Sequence, residues 1–523
     1  MPMYRVPQAG KVGLNKDLSS HELPPQAWTD ASNVRFLDGM AYQFLGHGEV
    51  YTGAPIIPYH AMQANVGADR HWMYAGASKI YTVTSASGSV VHTNLTRQST
   101  GVDVDMAGSP NLWTSTSLSG IPIFNPGNTS IQPQAWDLNT ANRCTNLANW
   151  PSNFYCKALR AYKNQLVALN LTIGGVNRPY GLRASHPADP GTVPVSWDET
   201  DPTMDVVDVD LAEGGDPIVD GGQLGGTFMV YKRGSCWRMD YAGGAFIQQF
   251  TKVLGTSGAM NANCWAEIDG WHAVLTGFDV IRHDGQQAVS ILDKQMRRTL
   301  FRMIDATNYT RAFVFKNPFL NEVFICFPQA GSTVPDMALV WNYRDGTTTF
   351  REMPDVHHAA YGPVEFGLSQ PWSGDGATWE SDTTTWNGAE FTPDSARVLM
   401  ASNDQKLFLL DSSTYFDTTA PTAYLERRGL SLGMPDRMKL IKAVRPRIYG
   451  PVGSTITVSL GGSDDPYEDP TYCTTNTYTI GSTVSCDCLM TARYLAVKFE
   501  NEGGASEWRL DSYDIEFEDA GEF

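Results

Sequence analysis

Short apolar runs recur along most of this chain, and Gly, Asn or Asp ends each run within a few residues. The clearest runs occupy residues 72–83, 165–171, 227–241, 271–282, 322–327, 338–343 and 397–410. In three segments, residues 74–81, 230–237 and 400–407, two runs flank a small polar turn, which is the pattern of a β-hairpin. The chain is therefore predicted to be an all-β protein of short strands and tight turns.

Prolines, repeated hairpins and alternating apolar positions divide the chain into three predicted regions. Residues 1–50 hold four prolines before Trp28 and are predicted to form an extended N-terminal arm with a first hairpin. Residues 51–417 repeat the hairpin pattern, which favours a β-propeller core with loop insertions. Residues 418–523 contain runs at 442–449, 455–460, 494–499 and 507–517 that alternate apolar and polar positions, as in a C-terminal antiparallel β-sandwich-like domain. A helix is predicted at residues 290–304, where Leu292, Met296, Leu300 and Met303 can share a face.

Composition and charge limit the kinds of molecule that this chain could bind. The chain has 523 residues, more than one hydrophobic core usually supports. Its 38 Lys+Arg against 56 Asp+Glu give a formal charge of −18, which disfavours tight binding of nucleic acid but allows DNA to pass an acidic wall. No apolar run approaches the roughly 20 residues that span a bilayer, and the first ten residues lack the apolar segment of a signal peptide. We therefore expect a soluble protein made in the cytoplasm.

Acidic residues are concentrated in the segment 185–231, which contains no Lys or Arg. Asp205, Asp208 and Asp210 could together bind a hard cation, but they lack the glycine and terminal glutamate of a calcium loop. We interpret the segment as an acidic surface loop.

Histidines and cysteines form no pattern typical of a metal or catalytic site. His357 and His358 are adjacent, and neighbours on a strand point to opposite faces, so we expect a structural pair. The eight cysteines show no repeating pair spacing, and Cys473, Cys486 and Cys488 have no nearby histidine to complete a zinc site. We expect buried thiols and no disulfide framework.

Two common catalytic motifs are absent from the sequence. It contains no phosphate-binding glycine loop and no His-Glu-x-x-His pair. Residues 373–379 (Ser-Gly-Asp-Gly-Ala-Thr-Trp) fall one residue short of an Asp box, which is a structural turn in any case. Glycoside hydrolysis needs two carboxylates about 5 to 10 Å apart, and the sequence nominates no such pair. We predict no enzymatic activity and no catalytic, cofactor-binding or metal-binding residues.

Two N-terminal segments carry a family resemblance. Gly-Leu-Asn-Lys-Asp-Leu-Ser at residues 13–19 and the stretch 23–39, which ends in Asn-Val-Arg-Phe-Leu-Asp-Gly, resemble the opening of tail nozzle proteins, also called packaged-DNA stabilisation or tail hub proteins, of short-tailed bacteriophages. Looser similarities lie at residues 119–125, 132–136, 218–225, 227–231, 339–344, 493–499 and 508–510. The second motif predicts a strand that turns at Asp38 and Gly39 into the next strand.

This resemblance implies a structural virion protein, a homohexameric ring at the distal end of the phage tail. The ring would retain packaged double-stranded DNA and form the conduit for its ejection without reading its sequence. Its implied partners are an adaptor ring below the portal, tail fibres or spikes, and the host envelope at infection. The alternative is a receptor-binding or glycan-degrading β-propeller at the tail tip. For the nozzle, we also expect an acidic lumen.

Overall fold

The computed structural model describes residues 3–66, 69–86, 89–243, 247–364, 396–473, 475–501 and 507–522. These residues form a β-propeller joined to an antiparallel β-sandwich, so the predicted all-β fold class is confirmed. Within them, no helix has the length and apolar character needed to cross a membrane. The Asp-box-like segment 373–379 lies outside the described residues.

Seven four-stranded antiparallel sheets form the blades of the propeller in the described part of the chain. The strands of the first three blades are β8 (His60–Val66), β9 (Asp69–Ala75), β10 (Ile80–Ala86), β11 (Ser89–Asn94); β14 (Thr114–Leu118), β15 (Ile121–Asn125), β16 (Gln134–Ala135), β17 (Thr145–Asn146); and β18 (Phe154–Tyr162), β19 (Gln165–Ile173), β20 (Val176–Ala184), β21 (Val207–Asp210). The next two blades are β22 (Ile218–Leu224), β23 (Thr227–Lys232), β24 (Cys236–Tyr241), β25 (Gln248–Leu254); and β26 (Trp265–Ile268), β27 (Trp271–Leu275), β28 (Val280–His283), β29 (Ala288–Ser290). The last two are β30 (Phe313–Asn317), β31 (Glu322–Phe327), β32 (Met337–Asn342), β33 (Thr348–Glu352); and β34 (Val356–Pro363), β35 (Ala396–Ser402), β36 (Leu407–Ser413) with β7 (Gly46–Val50).

The first strand of each blade lies innermost, next to the propeller axis. Contacts join β34 to β8, β14 to β18, β18 to β22, β26 to β30 and β30 to β34. The two remaining junctions are hydrogen-bonded, from His60 to Ser115 and from Trp265 to Asp220. These contacts close the inner strands into a circle.

The circle is fastened by a strand from near the start of the chain. In the seventh blade β7 pairs with β36, with His47 opposite Leu410 and Val50 opposite Leu407. The last blade therefore combines residues that precede the first blade with residues that follow all the others.

The sandwich consists of two six-stranded sheets drawn from both ends of the chain. One sheet contains β1 (Met3–Val6), β5 (Val34–Leu37), β6 (Met40–Gln43), β38 (Met438–Tyr449), β42 (Cys486–Ala492) and β44 (Arg509–Gly521). The other contains β4 (Asp30–Ser32), β37 (Ala423–Leu430), β39 (Thr455–Ser463), β40 (Thr471–Tyr472), β41 (Asn476–Thr479) and β43 (Tyr494–Asn501). Two-stranded pairs are β2 (Gly13–Leu14) with β3 (Ala27–Trp28) and β12 (Gln98–Ser99) with β13 (Val102–Asp103).

Residues 1–50, predicted as an extended arm, are instead built into both domains. Strand β1 pairs with β44 so that Val6 lies opposite Tyr513, and β7 belongs to the propeller. Strand β1 therefore belongs to the C-terminal domain of the same chain. Trp28 packs between the two sheets at 6.1 Å from each of the Phe499 and Tyr513 rings. The reason is apolar burial, since Val6 and Trp28 are almost fully buried.

The three hairpins predicted from turn chemistry are confirmed. Strand β9 pairs with β10, β23 with β24 and β35 with β36. The turn at Asp38 and Gly39 also joins β5 to β6, with both residues at positive φ, 50° and 79°. Glycine tolerates this conformation without cost, and Asp is among the few other residues that adopt it readily.

The predicted helix at residues 290–304 is shorter than the periodicity indicates. The α-helix α1 is Arg297–Met303, while Ser290 ends β29. Lys294 has a positive φ of 58°, so the backbone cannot continue a right-handed helix through it. Short 3-10 helices occupy Ser20–Glu22, Tyr309–Arg311 and Pro318–Leu320.

The sequence predicts no disulfide framework, but one cysteine pair forms a disulfide that it does not indicate. Cys473 and Cys488 are bonded across the sandwich, with their Cα atoms 6.9 Å apart. Tertiary pairing through β39 and its neighbours brings them together, which spacing along the chain does not reveal. The other six cysteines are free and buried, as expected.

Candidate functional site at the propeller axis

The inner strands of all seven blades bring side chains to one polar cluster, here called the axial cluster. The contributing residues, in blade order, are His60, Ser115, Arg160, Asp220, Asn263 with Trp265, Phe313 and His358.

The centre of the axial cluster is a buried ion pair. The Arg160 guanidinium donates from Nε and Nη2 to the two carboxylate oxygens of Asp220, at 2.8 and 2.7 Å. Arg160 also donates to the Asn263 side-chain oxygen at 2.7 Å and to the Ser115 carbonyl at 3.1 Å. One side chain from the third blade thereby ties together the second, fourth and fifth blades.

Asp220 is fully buried, and its charge is compensated on every side. Besides Arg160, it accepts hydrogen bonds from the backbone N–H of Asn263 at 2.8 Å and from the indole N–H of Trp265 at 2.9 Å. The register of β22 shifts between Ile218 and Asp220, which is how a β-bulge re-aims a side chain. Such satisfaction is what a buried carboxylate requires to remain charged.

Gly222 makes the Trp265 contact possible. A Cβ atom at this position would lie 2.2 Å from the Trp265 ring, so any other residue would displace the indole. Gly222 is therefore needed for the packing of β22 against the fifth blade, whereas its neighbour Gly221 faces Phe228 in the same blade.

Two histidines complete the cluster on its other side. The rings of His60 and His358 are 3.7 Å apart, and His60 Nε2 lies 2.8 Å from the Ser115 hydroxyl. Burial, helped by the Arg160 charge, lowers the pKa of His358 to about 3 and lowers that of His60 well below its usual value. Both imidazoles are therefore neutral near pH 7.

The axial cluster presents a single carboxylate among the described residues, and Arg160 engages both of its oxygens. Acid–base cleavage of a glycosidic bond uses two carboxylates with different protonation states. In the described part of the chain, no three His, Cys, Asp or Glu side chains are grouped so that they could hold a metal ion. What this geometry does well is hold seven blades in fixed positions around the axis.

A second buried polar chain links the fourth and fifth blades. Tyr231 Oη lies 2.6 Å from His272 Nδ1 and 2.7 Å from His283 Nε2. His283 Nδ1 accepts from Gly285 N–H and His272 Nε2 donates to the Gln223 carbonyl. These two outer contacts fix the direction of the hydrogen bonds between them, so that His283 donates to Tyr231 and Tyr231 donates to His272. Burial lowers the pKa of His272 to about 3 and that of His283 to about 4, as neutral rings in such a chain require.

The residues singled out in the sequence do not meet at the axial cluster, apart from His358. His357 points away from its neighbour, and its Nε2 lies 3.2 Å from the Asn403 side-chain oxygen. Asp208 is paired with Arg178 at 2.6 Å and with Arg183. The acidic segment 185–231 is thus partly neutralised by arginines of β20, which lie outside it. Arg160 and Asp220 were missed because a lone arginine and a lone aspartate, far apart in sequence, carry no motif.

The segments that resemble nozzle proteins lie at the joint between propeller and sandwich. Asp17 accepts hydrogen bonds from the backbone N–H groups of Arg298 and Thr299, at 2.7 and 3.1 Å, and so caps α1. Asn33 donates to the Thr422 carbonyl at 2.9 Å and accepts from Glu352 N–H at 3.0 Å.

Arg35 anchors a buried charge network at the same joint. Its guanidinium lies 2.7 Å from Asp411 of β36 and 3.3 Å from Glu322 of β31, and Asp411 is also 3.3 Å from Arg351 of β33. The Phe44 ring packs against both guanidinium groups, at 4.3 and 5.0 Å. Burial raises the pKa of Glu322. We call Arg35, Glu322, Arg351 and Asp411 the joint network.

Comparison with known proteins reveals no family for this chain. No family model matches it, and no curated protein does. Among solved structures, the extracellular domain of BT4673 from B. thetaiotaomicron is 9% identical with a TM-score of 0.40, and the match covers 90% of this chain and 63% of that one. AztD from Citrobacter koseri is 11% identical over 56% of this chain and 73% of that one, with a TM-score of 0.31. An exo-β-1,3-galactanase from Phanerochaete chrysosporium is 8% identical over 91% of this chain and all of that one, with a TM-score of 0.28.

Proposed function

We propose that this chain is a structural subunit of a short phage tail, assembled as a ring through which DNA leaves the particle. The observation that carries the proposal is where the nozzle-like segments lie. Asp17, Asn33 and Arg35 contact residues of the other domain or of the propeller helix α1 and so hold the sandwich and the propeller together. A wall that contains and then guides DNA under pressure needs this kind of rigid joint.

The axial cluster supports a conduit formed between copies of the chain. Arg160 and Asp220 occupy the axis of each propeller, so the opening for DNA would lie at the centre of the ring. The charge of −18 suits a lumen that repels phosphate and leaves few sites where DNA would adhere. In this proposal, fibres or spikes dock on the outside and an adaptor ring lies above.

The test is the assembly state of the purified chain and its place in particles. Mass photometry and negative-stain microscopy should show a ring, expected to contain six copies, with an opening a little over 20 Å wide, roughly what duplex DNA requires. Gold-labelled antibody against the chain should mark the distal end of short-tailed particles.

Two results would contradict the proposal. One is a stable monomer that antibody does not find on particles. The other is turnover of a glycan substrate that a single carboxylate substitution abolishes, which would favour a glycan-degrading propeller.

A further inference from the structure

A cavity of about 470 Å³ opens at the joint between propeller and sandwich, within the size range of small-molecule sites. None of its lining residues belongs to the axial cluster. Its lining residues come from β6, β38, the start of β44 and the link after β36: Tyr42, Gln43, Thr414, Tyr449, Gly450, Pro451, Glu507, Trp508 and Arg509.

One wall of the cavity is a flat row of three side chains across the sandwich sheet. Arg509 lies directly opposite Tyr42 on β6 and opposite Tyr449 on β38. The Arg509 guanidinium is 5.0 Å from the centre of the Tyr449 ring, and Tyr449 is 50% exposed. Strand register therefore presents two aromatic rings and a planar cation side by side.

Trp508 forms the inner side of the same cavity. The residue is only 2% exposed and belongs to the hydrophobic core, so it supports the exposed row from within the sandwich.

We propose that this cavity binds a neutral saccharide ring. The C–H face of a pyranose matches the exposed Tyr449 ring, and its hydroxyls can accept from Arg509 and donate to Glu507. The cavity carries one acidic and one basic side chain, so a neutral polyhydroxylated ligand fits better than an anion. Nucleic acid is disfavoured because Glu507 and the charge of −18 repel phosphate. This site does not depend on the ring proposed above.

The test is saturation-transfer NMR of the purified full chain with 10 mM glucose, galactose, mannose, rhamnose or N-acetylglucosamine as probe. At least one sugar should receive saturation from the protein. The variants Tyr449→Ala and Arg509→Ala should each weaken its affinity about tenfold. Tyr467→Ala removes another exposed tyrosine of the sandwich and should leave the affinity unchanged.

Three results overturn the saccharide site. The first is no transfer to any of the five sugars, and the second is transfer that Tyr449→Ala and Arg509→Ala leave intact. The third is binding of a ten-residue oligothymidine in place of the sugars, lost in those same variants, which would assign the site to nucleic acid. The assembly state of the chain affects none of these outcomes, so failure here and failure of the ring are distinguishable.

Discussion

At the scale of single residues, the ion pair between Arg160 and Asp220 connects the third and fourth blades of the propeller at its axis. Asp220 is fully buried and Arg160 nearly so, at 0% and 13% side-chain exposure. Burial of two charges is compensated here because each finds several hydrogen bonds. If one partner is removed, the other stays buried without compensation, which costs more than the pair itself contributes.

We therefore expect Asp220→Asn to lower the free energy of unfolding by about 3–5 kcal/mol, the usual cost of breaking a buried pair. Urea unfolding followed by tryptophan fluorescence measures this change. Asp205→Asn is the matched control, because Asp205 is exposed, and should change stability by no more than about 0.5 kcal/mol. Equal unfolding midpoints for the two variants would show that the axial pair is dispensable.

Histidine burial makes the fold sensitive to acid. Burial lowers the pKa of six histidines below 6.5, so these rings stay neutral in the folded chain and bind protons once it unfolds. The unfolded state binds more protons between about pH 6.5 and 4, so stability is complete above pH 6.5 and is lost as the pH falls. Glu322, Asp279 and Asp355 act in the opposite direction, because burial raises the pKa of each carboxyl, but three carboxyls do not offset six rings.

The expected result is a lower urea midpoint at pH 5.0 than at pH 7.5. Each ring that remains neutral only when folded contributes up to about 1.4 kcal/mol per pH unit in this window. A urea midpoint that is the same at both pH values, or higher at pH 5.0, would mean that the histidines still bind protons in the folded chain.

At the scale of elements, the cap of α1 is supplied from far away in the sequence. Asp17 binds the N–H groups of Arg298 and Thr299 and also accepts the Thr299 hydroxyl at 2.8 Å. Asp17→Ala should cost about 1–2 kcal/mol, as the loss of a helix cap does. Asp293→Ala removes an exposed aspartate next to the same helix and should be nearly neutral, and thermal unfolding by circular dichroism compares the two.

Strand β1 gives a second prediction at this scale. Because β1 pairs with β44 in the same chain, deleting residues 1–6 should lower the melting temperature and leave the number of subunits unchanged. Calorimetry and light scattering of the truncated chain measure the two properties. Loss of assembly with an unchanged melting temperature would show that this strand acts between subunits.

Local elements could be predicted from the sequence because their determinants are local. The turn at Asp38 and Gly39 and the three hairpins depend on residues next to one another. The length of α1 could not be predicted, because the positive φ of Lys294 and the cap from Asp17 both depend on tertiary contacts. The axial cluster was beyond reach for the same reason, since Arg160 and Asp220 are 60 residues apart and meet only when the blades close.

At the scale of the whole molecule, the joint network decides whether the propeller and the sandwich behave as one body. Arg35 comes from the sandwich, whereas Glu322, Arg351 and Asp411 come from the propeller. One hydrophobic core also continues across the joint, from Phe36 and Trp28 to Val323 and Phe350. A single cooperative unfolding transition is therefore expected for the intact chain.

Arg35→Met should uncouple the two domains. It keeps much of the side-chain volume against Phe44, but it removes the cation beside Glu322 and beside one carboxylate oxygen of Asp411. Because these groups are buried, the loss destabilises the joint more than either domain. Calorimetry should then resolve two transitions in place of one. Arg445→Ala is the control, because the Arg445 side chain is 45% exposed in its ion pair with Glu516 and surface pairs of this kind contribute about 0–1 kcal/mol. If Arg35→Met still unfolds in one transition, the continuous core alone couples the domains, and the rigidity that we assign to the nozzle-like segments belongs to apolar packing.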